Sequence, residues 1–231
     1  MKTEIHPIQA RILRTMLFKE GARFADLNVL KLPTDHFNFH LKQLLSLRLV
    51  EKSPDNKYCL TAKGKEFANR LDTDKIVLEK QAKIGALICC VKQEGKIKKY
   101  LVQQRLKQPY YGFYGFFTGK IRWGETIEQT ASRELKEETG LTGKISLAGI
   151  KHKMDYPTKG KILEDKFFFV FRVKNTEGKL LEKFEGGKNL WLTKKEIFEL
   201  PDLFDGVGET INIINQKKLI FTENKYKVKG Y

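Results

Sequence analysis

Acidic residues are concentrated in one segment of the chain, residues 119–141, which reads GKIRWGETIEQTASRELKEETGL. Thr126 followed by Gln129 forms a capping box, and Gly140 suits the position just after a helix end. The segment therefore predicts a helix over about 126–139 with both ends defined. At about 100° per residue its apolar residues form one stripe, which consists of Ile127, Ala131 and Leu135.

Two carboxylates of this helix point toward its apolar side. Glu138 falls within about 20° of the stripe centre and Glu134 within about 60°. A surface helix with ion pairs such as Arg133–Glu137 does not account for them, because a buried unpaired carboxylate is costly or takes up a proton. The i, i+3, i+4 spacing of Glu134, Glu137 and Glu138 adds repulsion. A bound divalent cation removes both penalties, and oxygen ligands favour Mg²⁺ or Mn²⁺ over zinc.

The segment resembles the Nudix box, G-x5-E-x7-R-E-U-x-E-E-x-G-U with U apolar, at every specified position. The matching residues are Gly119, Glu125, Arg133, Glu134, Leu135, Glu137, Glu138, Gly140 and Leu141. At average residue usage, a chance match in this length is below about one in a million. The resemblance spans roughly residues 80–215, and it implies an α+β Nudix fold in which a mixed β-sheet lies between α-helices.

The resemblance also implies an activity, that of a MutT-like hydrolase. Such an enzyme cleaves a nucleoside diphosphate linked to another moiety, of the ADP-ribose or (d)NTP class, with Mg²⁺ or Mn²⁺ as its cofactor. By position, the metal ligands would be the carbonyl of Gly119 and the carboxylates of Glu134, Glu137 and Glu138. Glu134 would also activate water, Arg133 would orient the carboxylates, and Glu125 would brace the loop.

A further acid outside the box often takes part in enzymes of this kind. Glu185 is the first choice, because it lies in a predicted loop six residues before Trp191. Glu164 and Asp165, just before the predicted strand 166–173, are the alternatives. For each of the three acids, a solvated loop residue is the other interpretation.

Three residues near the box are candidates for substrate binding: Arg105, Phe116 and Lys120. Arg105 ends the predicted strand YLVQQR and resembles the arginine that such enzymes use on substrate phosphates; an exposed strand-end arginine is the alternative. Phe116 could stack on a nucleobase or lie in the core. The chain departs from the MutT-like pattern at residues 117–120, FTGK in place of Pro-Gly-Gly-Lys, and at Arg122, where Glu is common. The resemblance therefore leaves the substrate pocket open.

Residues 1–72 follow a different pattern. Helical periodicity at 8–17, at 24–30 and from Thr34 onward precedes a strand–turn–strand at 49–61 and a last helix at 62–71. This order resembles a small winged helix-turn-helix domain, ahead of a Nudix domain at 80–231. If the third helix enters a major groove of double-stranded DNA, the candidate contacts are His36, Asn38, Lys42, Gln43 and, on the wing, Lys57. A dimerisation or protein-contact module is the alternative.

Composition narrows the remaining function classes. The chain has 44 Lys and Arg against 28 Asp and Glu, a net charge of +16, which favours polyanionic partners such as nucleotides and nucleic acids. Its three cysteines form no CxxC motif, which suits a reducing, cytoplasmic location. No apolar run approaches the ~18 residues of a membrane span, so no membrane partner is expected. A homodimer is left open.

Two functions from different classes follow from these patterns. The first is a Mg²⁺-dependent Nudix pyrophosphohydrolase, DNA-associated through its winged helix. The alternative is a Nudix-related transcriptional regulator that senses ADP-ribose or another nucleotide without turnover. The complete box favours catalysis, since some regulators of that kind have degenerate boxes. The positive charge of residues 73–231 suggests a third function, RNA-end processing.

Overall fold

The computed structural model describes residues 5–72, 77–78 and 80–228 of the 231-residue chain. The chain divides into two compact units, Met1–Lys80 and Gln81–Tyr231, and each unit has its own hydrophobic core. Within the described residues, no helix combines the length and the apolar character needed to cross a membrane.

The first unit is helical apart from two short strand pairs. Its helices are α1 (Pro7–Leu17), α2 (Phe24–Leu27), α3 (Thr34–Ser46) and α4 (Ala62–Ala68). Its strands are β1 (Val50–Lys52), β2 (Tyr58–Leu60), β3 (Leu71–Asp72) and β4 (Val77–Leu78). Strands β1 and β2 form an antiparallel hairpin between α3 and α4. The predicted order of three helices, a hairpin and a further helix is present.

One face of α3 supplies much of the core of the first unit. Phe37, Leu41 and Leu44 recur at helical spacing and are fully buried. Helix α4 approaches this core closely through Gly64, where an added Cβ atom would overlap the backbone carbonyl of Leu49. The apolar spacing of α3 therefore predicts which side of this helix is inside.

The second unit is built on a nine-stranded mixed sheet. Its strands are β5 (Lys83–Glu94), β6 (Ile97–Arg105), β7 (Tyr114–Gly115), β8 (Phe117–Lys120), β9 (Thr142–Tyr156), β10 (Glu164–Glu177), β11 (Lys183–Phe184), β12 (Gly187–Thr193) and β13 (Ile220–Lys227). The strand order is β11-β12-β6-β5-β10-β9-β13, with β7 paired to β6 and β8 to β5. Strand β10 runs parallel to β5 and antiparallel to β9, and β13 runs parallel to β9.

Helices lie on both faces of this sheet. They are α5 (Ile127–Thr139), α6 (Lys194–Phe198) and α7 (Val207–Asn215). Successive side chains of β5 point to opposite faces, so Ile88 packs in the core with Leu135 of α5, and Cys89 in the core with Ile211 of α7. Burial on both faces explains the continuous apolar run of this strand. The predicted α+β architecture, a mixed sheet between helices, is confirmed.

Several strands of this sheet were not predicted from the sequence, and the longest of them are β9 and β13. The longest strand, β9, spans 15 residues, and β13 forms one edge of the sheet. Three buried residues of β9 are polar, namely Lys151, Lys153 and Asp155. A strand with charged residues on its inward side lacks the period-2 hydrophobic pattern by which strands are predicted.

Candidate active site

The second unit contains a cavity of about 710 Å³. Cavities of roughly 300–1,000 Å³ suit small-molecule ligands. One face of β5, β10 and β9 forms the floor, and β8, the C-terminal half of α5 and the segment before α7 contribute the walls. Eight cationic and five acidic residues line it. The acids are Glu134, Glu138, Asp155, Glu164 and Asp205.

Local interactions set both ends of α5. The Thr126 hydroxyl accepts a hydrogen bond from the backbone N–H of Gln129, whose side chain accepts one from the N–H of Thr126. Gly140 follows the helix in the left-handed conformation, with φ of 72°. The capping box and the glycine predicted from sequence are therefore present.

The apolar stripe of α5 determines where its carboxylates point. Ala131 and Leu135 are buried between the helix and the sheet. Glu134 and Glu138, the acids nearest this stripe, line the cavity. Glu137 is half exposed and is not among the lining residues. The helix thus presents two of its predicted metal ligands to the cavity and the third toward solvent.

Gly119 of β8 lies against the Glu134 side chain. A Cβ atom at position 119 would overlap the Cγ atom and the carboxylate of Glu134. The missing side chain therefore allows this carboxylate to lie beside the backbone of β8, and both residues line the cavity.

Arg133 connects the acids of α5 to the preceding loop. Its Nε and Nη2 atoms donate to Glu125 at 2.6 and 2.9 Å, and Nη1 donates to Glu134 at 2.6 Å and to Glu137 at 3.2 Å. Nη2 also donates to the Lys120 carbonyl at 3.2 Å. The hydrogen bonds from Arg133 lower the pKa of Glu125 to about 2. Arg133 therefore links Glu125 of the loop to Glu134 and Glu137 of the helix.

The Glu138 carboxylate accepts a hydrogen bond from a neutral amide. Burial raises the pKa of its carboxyl, and the hydrogen bond that Gln103 Nε2 donates to it at 3.1 Å opposes that effect. Gln103 also donates to Asn189 Oδ1 at 3.3 Å, and Asn189 Nδ2 donates to the Glu138 carbonyl at 2.8 Å. Glu138 forms no ion pair with any described residue, and the charges of Lys107 and Arg105 also oppose the effect of burial on its pKa.

The donor set at this edge of the cavity suits a hard cation. Glu134, Glu138 and Gly119 line this edge, and carboxylate and carbonyl oxygens are the ligands that such a cation prefers. A cation would also stabilise the ionised form of Glu138. In the described part of the chain, no three acidic, histidine or cysteine side chains surround a common point. Arg133 Nη1 contacts both Glu134 and Glu137, so these carboxylates would have to turn away from it to share an ion.

The predicted substrate-binding residues Arg105, Phe116 and Lys120 all line the cavity. The guanidinium of Arg105 donates to the carbonyls of Pro109 at 2.6 Å and Gln108 at 3.1 Å, so it also supports the loop after β6. Phe116 is only 8% exposed, which places most of its ring in the core, the alternative that the sequence left open.

The three acids considered outside the box have different surroundings. Glu185 lies in the tight turn between β11 and β12, which carries it into solvent and outside the cavity lining. The Asp165 carboxylate lies 2.7 Å from His152 Nε2, and Asp165 does not line the cavity. Glu164 lines it, is 6% exposed and pairs with Lys83 at 2.6 Å. The geometry thus favours Glu164 over the first choice, Glu185.

Sequence analysis missed the lysines of the cavity floor. They are Lys83 on β5, Lys151 and Lys153 on β9, and Lys166 on β10. Their proximity depends on β10 inserting between β5 and β9, which no local pattern specifies. The available signal was the alternation in residues 149–155, GIKHKMD, where every second residue points inward.

The residues predicted to contact DNA lie in the first unit. On α3, His36, Lys42 and Gln43 are exposed and Asn38 is half-buried. The Gln43 side chain accepts a hydrogen bond from Gln9 of α1, and Lys57 on the hairpin pairs with Asp55 at 2.7 Å. Lys42 is therefore the exposed cation of α3 and has no ion pair with a described residue.

Comparisons with known proteins agree with this geometry. The NUDIX domain family matches residues 82–211. The ADP-ribose pyrophosphatase of Methanocaldococcus jannaschii is 32% identical over 117 residues, which cover 46% of this chain and 69% of that protein. The chain therefore belongs to the Nudix family.

Solved structures show the same fold. A MutT protein from Bacillus halodurans aligns with a TM-score of 0.50 and 28% identity, covering 63% of this chain and 90% of that one. The NUDIX domain of Shewanella oneidensis NrtR, solved with ADP ribose, aligns with a TM-score of 0.52 and 16% identity, covering 66% and 96%. The second likeness concerns the fold alone.

The Glu125–Arg133 pair generates a prediction about acid stability. The folded-state pKa of Glu125, about 2, lies below its ordinary value of 4.5, so its ionised form contributes stability above pH 4.5 that is lost as the pH falls toward 2. We expect Glu125→Gln to lower the free energy of unfolding at pH 7 and to flatten its fall between pH 4.5 and 2. Denaturant unfolding at several pH values measures this.

The matched control is Glu128→Gln, which changes an exposed acid in the first turn of α5. We expect it to follow the wild-type profile. A Glu125→Gln profile parallel to that of the wild type would mean that Arg133 does not stabilise the Glu125 carboxylate.

Proposed function

We propose that this chain is a Nudix pyrophosphohydrolase that depends on Mg²⁺ or Mn²⁺ and cleaves a nucleoside diphosphate linked to another moiety. ADP-ribose is the first candidate substrate, and a (d)NTP is the second. The observation that carries this proposal is a complete Nudix box whose Glu134 and Glu138 line a nucleotide-sized cavity. The similarity to an archaeal ADP-ribose pyrophosphatase supports the choice of substrate.

The proposed metal ligands are the carboxylates of Glu134, Glu137 and Glu138 and the carbonyl of Gly119. When bound, the ion would neutralise phosphate charge and lower the pKa of a bound water. Arg133 supports this arrangement because its Nη1 atom contacts both Glu134 and Glu137 and can hold them until the ion replaces it.

The chain's own groups supply the remaining requirements of hydrolysis. A water oxygen attacks one phosphorus of the pyrophosphate, Glu134 takes the water proton, and the bridging P–O bond breaks with the electron pair leaving on the departing phosphate. Gln103 keeps Glu138 in place. Arg105 and Lys120, both in the cavity lining, counter the charge of the phosphates. Half-buried Phe168 offers a ring face in the same cavity.

We expect turnover that requires a metal ion and that falls when one carboxylate charge is removed. With Mg²⁺, the wild type should convert ADP-ribose to AMP and ribose 5-phosphate. Glu138→Gln should lower kcat by about 100-fold or more, the usual scale for one essential electrostatic group, because it removes a ligand charge and keeps the volume. Product chromatography and phosphorus NMR measure this turnover. The substrate panel consists of ADP-ribose, NADH, a dinucleoside polyphosphate and normal and oxidised (d)NTPs.

Glu128→Gln is the control on the same helix and should retain the wild-type rate. Equal rates for Glu138→Gln and the wild type would mean that Glu138 is not a metal ligand. Tight binding of one nucleotide without turnover by the wild type would instead favour the nucleotide-sensing regulator.

For the first unit we propose a winged helix-turn-helix domain that binds double-stranded DNA. The order of its elements and the exposed polar face of α3, including His36, Lys42 and Gln43, support this. Lys57 on the hairpin would reach phosphate after leaving Asp55. Association with DNA is compatible with either catalysis or nucleotide sensing in the second unit.

Phosphate contacts by Lys42 and Lys57 predict a salt-dependent affinity for DNA. Lys42→Ala should weaken binding and reduce the slope of log affinity against log salt by about one. Fluorescence anisotropy with a labelled duplex at several salt concentrations measures both. Lys65→Ala, an exposed lysine of α4, serves as the control. If the wild type has no DNA affinity at low salt, the domain is a protein-contact module.

A further inference from the structure

Three lysines form a row across the floor of the cavity. Lys166 of β10 lies directly opposite Lys83 of β5 on one side and Lys153 of β9 on the other. All three line the cavity. Directly opposite residues of neighbouring strands have Cβ atoms about 5 Å apart, and like charges at that spacing are destabilising. The row therefore requires negative charge nearby.

The adjacent row supplies part of that charge. It consists of Glu164 and Asp155, which also lie opposite each other on β10 and β9. Lys83 pairs with Glu164 at 2.6 Å, and Lys153 forms an ion pair with Asp155. Each carboxylate is therefore already engaged by a lysine at the end of the row.

Lys166, at the centre of the row, is the lysine with the weakest partner. Its nearest carboxylate is Glu164 at 3.7 Å, and its ammonium makes no hydrogen bond with any described residue. The side chain is only 23% exposed, and burial lowers its pKa. A desolvated ammonium without a hydrogen-bond acceptor is costly, so an anion in the cavity would stabilise it.

The fourth lysine of the floor, Lys151, differs from Lys166 in its hydrogen-bond partners. Lys151 Nζ donates to the Gly206 carbonyl at 2.7 Å and to Thr210 Oγ1 at 3.2 Å, and it pairs with Glu209 at 2.8 Å. Its donors are used by the protein. Those of Lys166 remain available to a ligand.

The lysine row lies apart from the proposed metal site. Gly119 is paired with Ala86 of β5, and Lys83 is three residues further along that strand, which corresponds to about 10 Å. This distance leaves room for a sugar between a pyrophosphate held at α5 and a second anion held at the row.

We propose that Lys166, flanked by Lys83 and Lys153, binds a phosphate monoester that the substrate has in addition to its pyrophosphate. The inference rests on the proposed function and names its substrate class: a nucleoside diphosphate derivative phosphorylated on a sugar. The phosphate belongs either to the ribose of the nucleoside or to the sugar of the other moiety, and both sources present the same dianion to the lysines.

The test compares kcat/KM for ADP-ribose, ADP-ribose 2′-phosphate and ADP-ribose 1″-phosphate. The first phosphorylated compound has its monoester on the nucleoside, and the second on the other ribose. We expect the wild type to prefer one of them over ADP-ribose by about tenfold or more, as a charge-assisted contact allows. Lys166→Met should reduce that ratio to near one, whereas Lys174→Met, an exposed lysine on the same strand, should keep it.

Binding measurements separate this inference from the proposed function. Calorimetry without metal should give tighter binding of the preferred phosphorylated compound than of ADP-ribose in the wild type, but not in Lys166→Met. Circular dichroism and thermal unfolding should show that Lys166→Met folds and melts no lower than the wild type.

Each combination of results has a definite meaning. Hydrolysis of ADP-ribose with no preference for either phosphorylated compound would overturn the lysine subsite and leave the proposed function standing. Tighter, Lys166-dependent binding of a phosphorylated compound without any hydrolysis would support the subsite and overturn the proposed function. A preference that persists in Lys166→Met would also overturn the subsite.

Discussion

The arrangement of the candidate active site depends on the hydrogen bonds of one guanidinium. Arg133 binds Glu125 of the preceding loop through two nitrogens and reaches Glu134 and Glu137 with its third. A planar fork with five donors can make these contacts together, and a lysine cannot. The loop, the helix and the end of β8 at Lys120 are thereby joined. The position of the acidic edge of the cavity follows from this junction.

The opposite side of the cavity depends on the sheet. Inserting β10 between β5 and β9 produces a floor whose rows of side chains come from three strands. One row is cationic and the next is acidic, so the floor is largely neutralised within itself. The excess positive charge is centred on Lys166 and faces the cavity. An acidic edge for a cation and a cationic floor for an anion fit a ligand with more than one phosphate.

The sequence predicts those parts of the site that lie on one regular element. Residue spacing on α5 places Glu134 and Glu138 on the cavity side and Arg133 beside Glu137, because a helix converts sequence distance into direction. Capping residues define where that helix begins and ends. The helices and the hairpin of the first unit were predicted from the same kinds of local signal.

Groups that meet through strand pairing were not predicted. Strand β9 has buried lysines in place of apolar residues, so its pattern resembles a loop, and the proximity of Lys153 to Lys166 exists only in the folded sheet. Glu185 was chosen from its spacing to Trp191, but the turn between β11 and β12 directs it to solvent. Arg105 does lie in the cavity, although its contacts with the carbonyls of residues 108 and 109 depend on a loop conformation that the sequence does not specify.

We propose that the acidic edge formed by α5 and β8 binds a divalent cation at a pyrophosphate. Titration of Mn²⁺ followed by electron paramagnetic resonance, in the presence of non-hydrolysable α,β-methylene ADP-ribose, tests it most directly. We expect saturable Mn²⁺ binding by the wild type and by Glu128→Gln, and affinity weaker by about tenfold or more in Glu138→Gln. Equal Mn²⁺ affinity in all three proteins would show that Glu138 does not bind the ion.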